Sequence, residues 1–227
     1  MTASDMTELG ATANGGTASD ASELSASEVA ALAGGRLETA SDVTVRWEMQ
    51  RSGEDRRAVS RRLLREELQA QLATPFQVVQ QCVACGSSEH GALRVEVAET
   101  AETAETSRAV NSPTPPPLIS VSYAELLTIV AIAPARSRAL GIDVEYDTSD
   151  RRAAVQEALG PATDGTARSV REWTRLEAIA KARGRGLRGD WERGDWEQAD
   201  PTGLTCEDLL LDTTPGSAPA ILNIALG

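Results

Sequence analysis

Gly141-Ile142-Asp143-Val144-Glu145-Tyr146-Asp147 alternates apolar and acidic side chains. Successive side chains of a strand point to opposite faces, so the spacing predicts a strand over 140–146. Ile142, Val144 and Tyr146 can then enter a core, while Asp143, Glu145 and Asp147 line the other face. Three neighbouring carboxylates repel one another unless water or a cation relieves them. The row therefore fits either the solvated edge of a half-buried strand or a hard divalent cation held by oxygen ligands, with Mg²⁺ and a phosphate substrate as the natural pairing. A calcium loop of the EF-hand type does not fit: counted from Asp143, its sixth position is Thr148 rather than glycine, and its twelfth is Ala154 rather than glutamate.

Outward from this strand, alternation predicts further strands over 43–49, 76–81, 93–97, 118–122, 127–133 and 218–225. Val59, Leu63, Leu64, Leu68 and Leu72 recur at helical spacing, which predicts an amphipathic helix over 55–73 ending before Pro75. Helices are also expected over 151–159 and 170–183, the second stopping at Gly184 and Gly186. Strands and helices mix without a repeating βαβ unit, so the fold class is α+β.

The charge is unevenly distributed. The 227 residues carry 34 acids against 22 basic residues, a net −12. Residues 1–30 hold Asp5, Glu8, Asp20, Glu23 and Glu28 with no basic residue, among Ala, Ser, Thr and Gly, and are expected to form a disordered acidic tail. A second disordered segment is expected over about 96–117, where Ala-Glu-Thr repeats through 98–106 and runs into Pro113, Pro115, Pro116 and Pro117. Eight of the twelve net negative charges lie in these two segments. Arginines cluster instead over 51–65 and 168–193, which suggests a site for a compact polyanion, although a solvated helix face would look the same. The overall field repels nucleic acid and anionic membranes, so neither is expected as a partner. The most apolar stretch, 118–135, is broken by Ser120, Ser122, Tyr123 and Glu125, and MTASDMTELG has neither the basic start nor the apolar core of a secretory signal. Three cysteines make no disulfide scaffold, and a cytoplasmic protein is expected. The duplicated Arg-Gly-Asp-Trp-Glu at 188–192 and 193–197 reads as turn chemistry.

A second informative stretch is Trp173-Thr-Arg-Leu-Glu177-Ala-Ile-Ala-Lys181-Ala-Arg-Gly-Arg-Gly-Leu187. Glu177 and Lys181 lie four apart, in the orientation that favours an ion pair along one helix face. Glu177 could also close a capping box with Thr174. Against both stands one count: of the 22 basic residues, Lys181 is the only lysine. A compact ammonium approaching a phosphate is one reason for a site to keep lysine where arginine prevails elsewhere.

Taken together, Gly-Ile-Asp-Val-Glu at 141–145 and Trp-Thr-x-x-Glu-x-x-x-Lys-x-x-Gly-x-Gly-Leu at 173–187 resemble the motifs of the 4′-phosphopantetheinyl transferases of the surfactin-synthetase-activating class, in order and in spacing. Looser likenesses are Arg61-Arg-Leu-Leu-Arg65, the His90-Gly91 turn and Ile119-Ser-Val-Ser-Tyr123, so that the resemblance spans roughly residues 40–227. It implies two similar α+β halves related by a pseudo-twofold, here 31–135 and 136–227, with coenzyme A and Mg²⁺ between them. By position, Asp143, Glu145 and Glu177 correspond to the metal ligands, with Glu177 the candidate base, and Lys181 to the lysine that contacts phosphate. Arg57 and Arg62 are candidates for the 3′-phosphate, and Gly91, Ser120 and Ser122 lie in segments that meet coenzyme A. The implied reaction moves 4′-phosphopantetheine from coenzyme A to a serine of an acyl or peptidyl carrier protein, releasing adenosine 3′,5′-bisphosphate. This chemistry serves fatty acid, polyketide and nonribosomal peptide biosynthesis, and a monomer is expected. Three positions depart from the family pattern: Val121 stands where histidine is usual, Ala92 where a basic residue follows the turn glycine, and Leu176 where lysine often precedes the glutamate. They leave open an alternative, a divergent relative that binds carrier protein or nucleotide without transfer.

Cys82-x-x-Cys85-Gly…His90 sets two thiols and an imidazole at zinc spacing, without a fourth ligand nearby in sequence. Zinc there is a secondary expectation beside a turn with no metal.

Overall fold

The computed structural model describes residues 34–82, 85–98, 115–162, 164–184, 201–213 and 218–227. The expected acidic tail, residues 99–114 of the insertion and the duplicated segment 188–197 lie outside the described residues. The described elements are β1 (Gly34–Glu38), β2 (Thr44–Met49), α1 (Arg56–Gln71), β3 (Phe76–Gln80), β4 (Leu93–Val97), β5 (Ile119–Ala124), β6 (Leu127–Ile132), β7 (Leu140–Tyr146), α2 (Ser149–Leu159), α3 (Val170–Ala182), β8 (Thr205–Leu211) and β9 (Ala220–Leu226). The chain is α+β, as its periodicities predict. Two strands, β1 and β8, escape that reading. β1 opens on Gly34-Gly35 and shows no alternation, and β8 ends on three consecutive leucines, of which Leu210 faces solvent.

The strands form a four-stranded sheet in the order β1-β2-β6-β5, a three-stranded sheet in the order β7-β9-β8, and the hairpin β3-β4. Every ladder among them is antiparallel. The main core lies between the two larger sheets, where Val43, Val45, Leu127, Ile129 and Ala131 meet Ile142, Val144, Leu222 and Ile224. On the far side of the four-stranded sheet, α1 and the hairpin supply Val59, Leu63, Leu64, Leu68 and Val95. Each fully buried leucine there contributes about 1.5–3 kcal/mol. Asp55 caps α1 by accepting from the Arg57 N–H at 3.0 Å. The outer face of the three-stranded sheet is covered by α2 and α3, through Val155, Val170 and Ile221 and through Ala178, Ile179 and Ala225.

Two features fix how these layers meet. β5 runs beside β7 without a backbone ladder among the described residues. Instead the Ser120 hydroxyl accepts the Ile142 N–H at 3.1 Å and the Ser122 hydroxyl accepts the Val144 N–H at 3.3 Å. The hydroxyls take the place that strand carbonyls would hold, and the buried amides of β7 are satisfied. On its other side, β7 lies so close to α3 that a Cβ on Gly141 would overlap the Ala178 carbonyl and the Ala182 amide. Glycine at 141 is therefore a requirement of interelement distance.

Gly141→Ala should destabilise the protein by about 3 kcal/mol, the upper range for overpacking a core, because backbone atoms rather than a flexible side chain must move. Urea unfolding of the purified variant measures this, and a loss below about 1 kcal/mol would show that α3 can lift from β7 freely.

Candidate active site

The close contact at Gly141 brings the last turn of α3 over β7. Lys181 reaches down from that turn, and its Nζ donates to Asp143 Oδ1 at 2.7 Å, to the Ile142 carbonyl at 3.0 Å and to Ser122 Oγ at 3.3 Å. These three acceptors use the three protons of an ammonium. Ser122 is equally committed: its hydroxyl donates to Asp143 Oδ1 at 2.9 Å while accepting from Lys181 and from the Val144 N–H. Asp143 and Ser122 are buried. One carboxylate oxygen of Asp143 is thus held by two donors, whereas Oδ2 is buried with no hydrogen-bond partner. An unsatisfied buried carboxylate oxygen costs about 1–3 kcal/mol or more, which a water or a cation would relieve; Glu207 Oε1 and Asn223 Oδ1 are buried in the same state.

The sequence anticipated Lys181 beside Glu177 on one helix face, or Glu177 in a capping box with Thr174. Neither is the arrangement found. Lys181 pairs with Asp143 across to β7. The capping box of α3 belongs to Ser169 and Glu172: the Glu172 N–H donates to Ser169 Oγ at 3.1 Å and the Ser169 N–H to Glu172 Oε2 at 2.7 Å. Thr174 is buried, donates to the Arg171 carbonyl at 3.0 Å and accepts from Asn223 Nδ2 at 2.5 Å, which ties α3 to β9. Glu177 is left half-buried, with no hydrogen bond or ion pair among the described residues.

Burial pushes the Glu177 carboxyl up to about 7, and the Asp143 carboxylate adds to the rise more than Lys181 offsets it. Burial also pushes Glu145 up to about 7, against the opposing pull of its ion-pair partner Arg151. The guanidinium of Arg151 also lies 5.5 Å from the ring centroid of Trp173, which fixes it between α2 and α3. Asp147 leaves the group: Arg152 donates to it at 2.7 Å, and that bond holds its carboxyl below the ordinary range. Asp143, Glu145 and Glu177 therefore share one electrostatic field, although their oxygens are not drawn within 4.8 Å of one another. Two half-buried carboxyls with raised pKa and a third with an unpartnered oxygen are of the donor type that a hard divalent cation takes, although they would have to draw closer to share one.

The remaining sequence candidates are dispersed. Arg62 donates to Glu48 at 2.7 Å and to Glu66 at 3.4 Å, and Arg57 pairs with Glu89 at 3.4 Å, so both arginines sit on α1 with carboxylate partners. A cavity of about 600 Å³ between α1 and β3 is lined by Arg61, Arg65, Gln69 and Phe76 and holds none of the motif carboxylates. Gly91, at φ 106°, is required where a Cβ would come within 2.8 Å of the Cys82 backbone. Ser120 and Ser122 serve the β5–β7 junction described above. Val121, pointing away from those serines, packs against the α1 core, Ala92 is exposed, and Leu176 is half-buried. Sequence reasoning missed Arg151 and Asn223, and gave Thr174 a capping role in place of its bond to Asn223. Arg151 could have been found from its place six residues after Glu145, at the start of a helix that folds back on the strand.

The carboxyls set the pH dependence of the metal-free protein. Folded Glu145 and Glu177 titrate near 7 rather than 4.5, so the folded state holds more protons than the unfolded one between those values. Stability is therefore highest below about pH 4.5 as far as these groups decide it, and falls as pH rises through about 7. Glu177→Gln should flatten that fall by roughly half in thermal melts with chelator present, and an unchanged slope would mean that Glu177 carries no such strain. Among the described residues no helix is long and apolar enough to cross a membrane. No protein-family model and no curated protein matches the chain.

Proposed function

We propose that the protein is a Mg²⁺-dependent 4′-phosphopantetheinyl transferase that moves phosphopantetheine from coenzyme A to a serine of an acyl or peptidyl carrier protein. The observation that carries this reading is the buried Asp143, anchored through Oδ1 by Lys181 and Ser122 and left with an unsatisfied Oδ2 in the field of Glu145 and Glu177. These are the residues at which the chain resembles the family. Further support comes from topology. β2, α1 and the hairpin β5-β6 follow in the order strand, helix, hairpin, with the first strand beside the last; β7, α3 and the pair β8-β9 do the same. Two such units are what a pseudo-twofold pair of halves, 31–135 and 136–227, would produce.

Asp143 Oδ2, Glu145 and Glu177 would hold the cation. When bound, Mg²⁺ would neutralise charge on the pyrophosphate of coenzyme A and favour the ionised forms of Glu145 and Glu177. The protein's own contribution is to orient and to move a proton. Lys181 and Ser122 hold Asp143 in one rotamer, so little reorganisation is needed when a ligand arrives. Glu177, which has no ion-pair partner among the described residues, accepts the proton of the carrier serine directly or through water. Arg151 limits the negative charge of Glu145. A phosphate contact by Lys181 would require it to exchange the Ser122 hydroxyl, its longest bond at 3.3 Å, for a phosphate oxygen. Arg57 and Arg62 would meet the 3′-phosphate only by giving up Glu89 and Glu48. Carrier proteins are commonly acidic, and the arginines near α3 offer them a complementary face.

The test is mass measurement of an apo-carrier protein after incubation with the purified chain, coenzyme A and Mg²⁺. A phosphopantetheine gain is expected, lost with chelator and reduced about 10²–10³-fold or more in Asp143→Ala and Glu177→Ala, the scale for removing one electrostatic contact to a reacting charge. No gain across several carriers would overturn the transferase reading in favour of the non-catalytic relative.

A second measurement is independent of any carrier. Mg²⁺ should raise the melting temperature of the wild-type chain more at about pH 8 than at about pH 5, because protonated carboxyls bind metal poorly. Glu177→Gln should lose most of that gain. Equal stabilisation at both values would remove the carboxylates from metal binding.

A further inference from the structure

Away from the carboxylates, the connection from β3 to β4 gathers Cys82, Cys85 and His90, whose ligand atoms all lie within 4.8 Å of one another. Cys85 Sγ and His90 Nε2 are 3.2 Å apart. No other group of three or more His, Cys, Asp or Glu residues among the described residues is drawn together in this way. We propose that Cys82, Cys85 and His90 form a binding site for one zinc ion, with a fourth, solvent-facing coordination position.

Geometry and donor chemistry agree. Zinc–sulfur and zinc–nitrogen bonds of about 2.3 and 2.0 Å place tetrahedral ligands roughly 3.5–3.8 Å apart, so the three donors need to shift by no more than about 1 Å. Two thiolates and an imidazole select a borderline-soft d¹⁰ ion over Mg²⁺ or Ca²⁺, which separates this site from the carboxylate site in metal preference. Binding displaces the two thiol protons to solvent, and the imidazole offers the lone pair of Nε2.

The backbone is already shaped for it. The Gly86 N–H donates to the Cys82 carbonyl at 2.7 Å and the Cys82 N–H to the Ser87 carbonyl at 2.8 Å, so the chain turns tightly around the first thiol. Gly86 adopts φ 73°, a left-handed conformation natural for glycine. Gly91 lies directly on the Cys82 backbone, and Gln80 Nε2 donates to its carbonyl at 2.9 Å, closing the base of the loop. Cys82 is buried while Cys85 and His90 are exposed. The ion would thus sit at the rim, with protein on one side and the open position on the other. Three protein ligands with an open position describe an exchangeable or partner-completed zinc rather than a closed structural one. The loop also reaches α1, because Glu89, next to His90, pairs with Arg57 at 3.4 Å. Zinc binding would hold that corner in place. None of this depends on the transferase reading.

The test uses the full chain, reduced and stripped of metal. Titration with Zn²⁺ against a chromophoric chelator should give one equivalent per chain, and Co²⁺ substitution should give thiolate-to-cobalt charge transfer with the visible bands of a tetrahedral site. Cys85→Ser and His90→Ala, both at exposed positions, should keep the wild-type circular dichroism. Each should weaken binding by about 100-fold or more, at or beyond the cost of losing an outer hydrogen-bonding partner of a zinc ligand. Asp143→Asn should leave the zinc titration unchanged. Failure of the reduced chain to bind one equivalent, or binding indifferent to Cys85→Ser and His90→Ala, would overturn the site. So would a Cys82–Cys85 disulfide as the only chemistry of the pair.

Discussion

Where β7 passes under α3, Gly141 has no side chain, and the space a Cβ would fill is taken by the Ala178 carbonyl and the Ala182 amide. That distance sets the reach of Lys181. At a wider separation of helix and sheet, an ammonium on α3 would meet solvent or the upper edge of a strand side chain. Here it touches a main-chain carbonyl of the strand itself, at Ile142, and from there Asp143 and Ser122. Ser122 belongs to β5, in the other sheet. One ammonium therefore joins a helix and two sheets, and the missing methyl at 141 is the condition for it.

Charge balance follows from the same junction. Asp143, Glu145 and Glu177 stand against Lys181 and Arg151, and the cations are spent on Asp143 and Glu145. Glu177 has neither among the described residues, and burial holds both glutamates up to about 7, Glu145 in spite of its ion pair. Some other carboxylates in this fold are paired with an arginine, as Asp147 is with Arg152 and Glu67 with Arg36, whereas Glu207 Oε1 is also buried without a partner among the described residues. With 21 arginines available, another such pairing at position 177 would have been simple to supply. A half-buried acid without an ion pair among the described residues, near a carboxylate oxygen without a partner, concentrates electrostatic cost in one place, which is consistent with the proposed site.

Much of this was legible in the sequence, for reasons that differ by element. The strand at β7 and the helix at α1 show because each has one buried face and a regular period: Ile142, Val144 and Tyr146 in one, Val59, Leu63, Leu64 and Leu68 in the other. β1 and β8 do not show because β2 and β9 impose their pairing, and neither Gly34-Gly35 nor Leu209-Leu210-Leu211 carries a period of two. At the site, spacing proposed partners that the structure replaces: Lys181 pairs with Asp143, and the capping box belongs to Ser169 and Glu172. A helical i,i+4 rule pairs Glu177 with Lys181, yet long-range contact at Gly141 turns the lysine toward Asp143, an outcome no local rule contains. Ser120 and Ser122 illustrate the same point. As residues of a motif they look like ligand donors, while in three dimensions their hydroxyls carry the joint between sheets that share no ladder.

The single lysine of the chain can now be given a structural reason alongside any chemical one. Its three acceptors are a carboxylate, a carbonyl and a hydroxyl that come from two strands of different sheets and do not form one planar fork. An ammonium directs three protons in three directions and meets all of them, whereas a guanidinium presents its donors in one plane and needs more room. Beneath a helix held close by Gly141 there is little room to give. Arginine at 181 would either lose contact with Ser122 and Ile142 or push α3 outward, undoing the approach that Gly141 permits. The exception to an otherwise arginine-only composition thus marks the point where helix, strand and neighbouring sheet are locked together, and the same junction leaves Asp143 Oδ2 buried without a partner among the described residues.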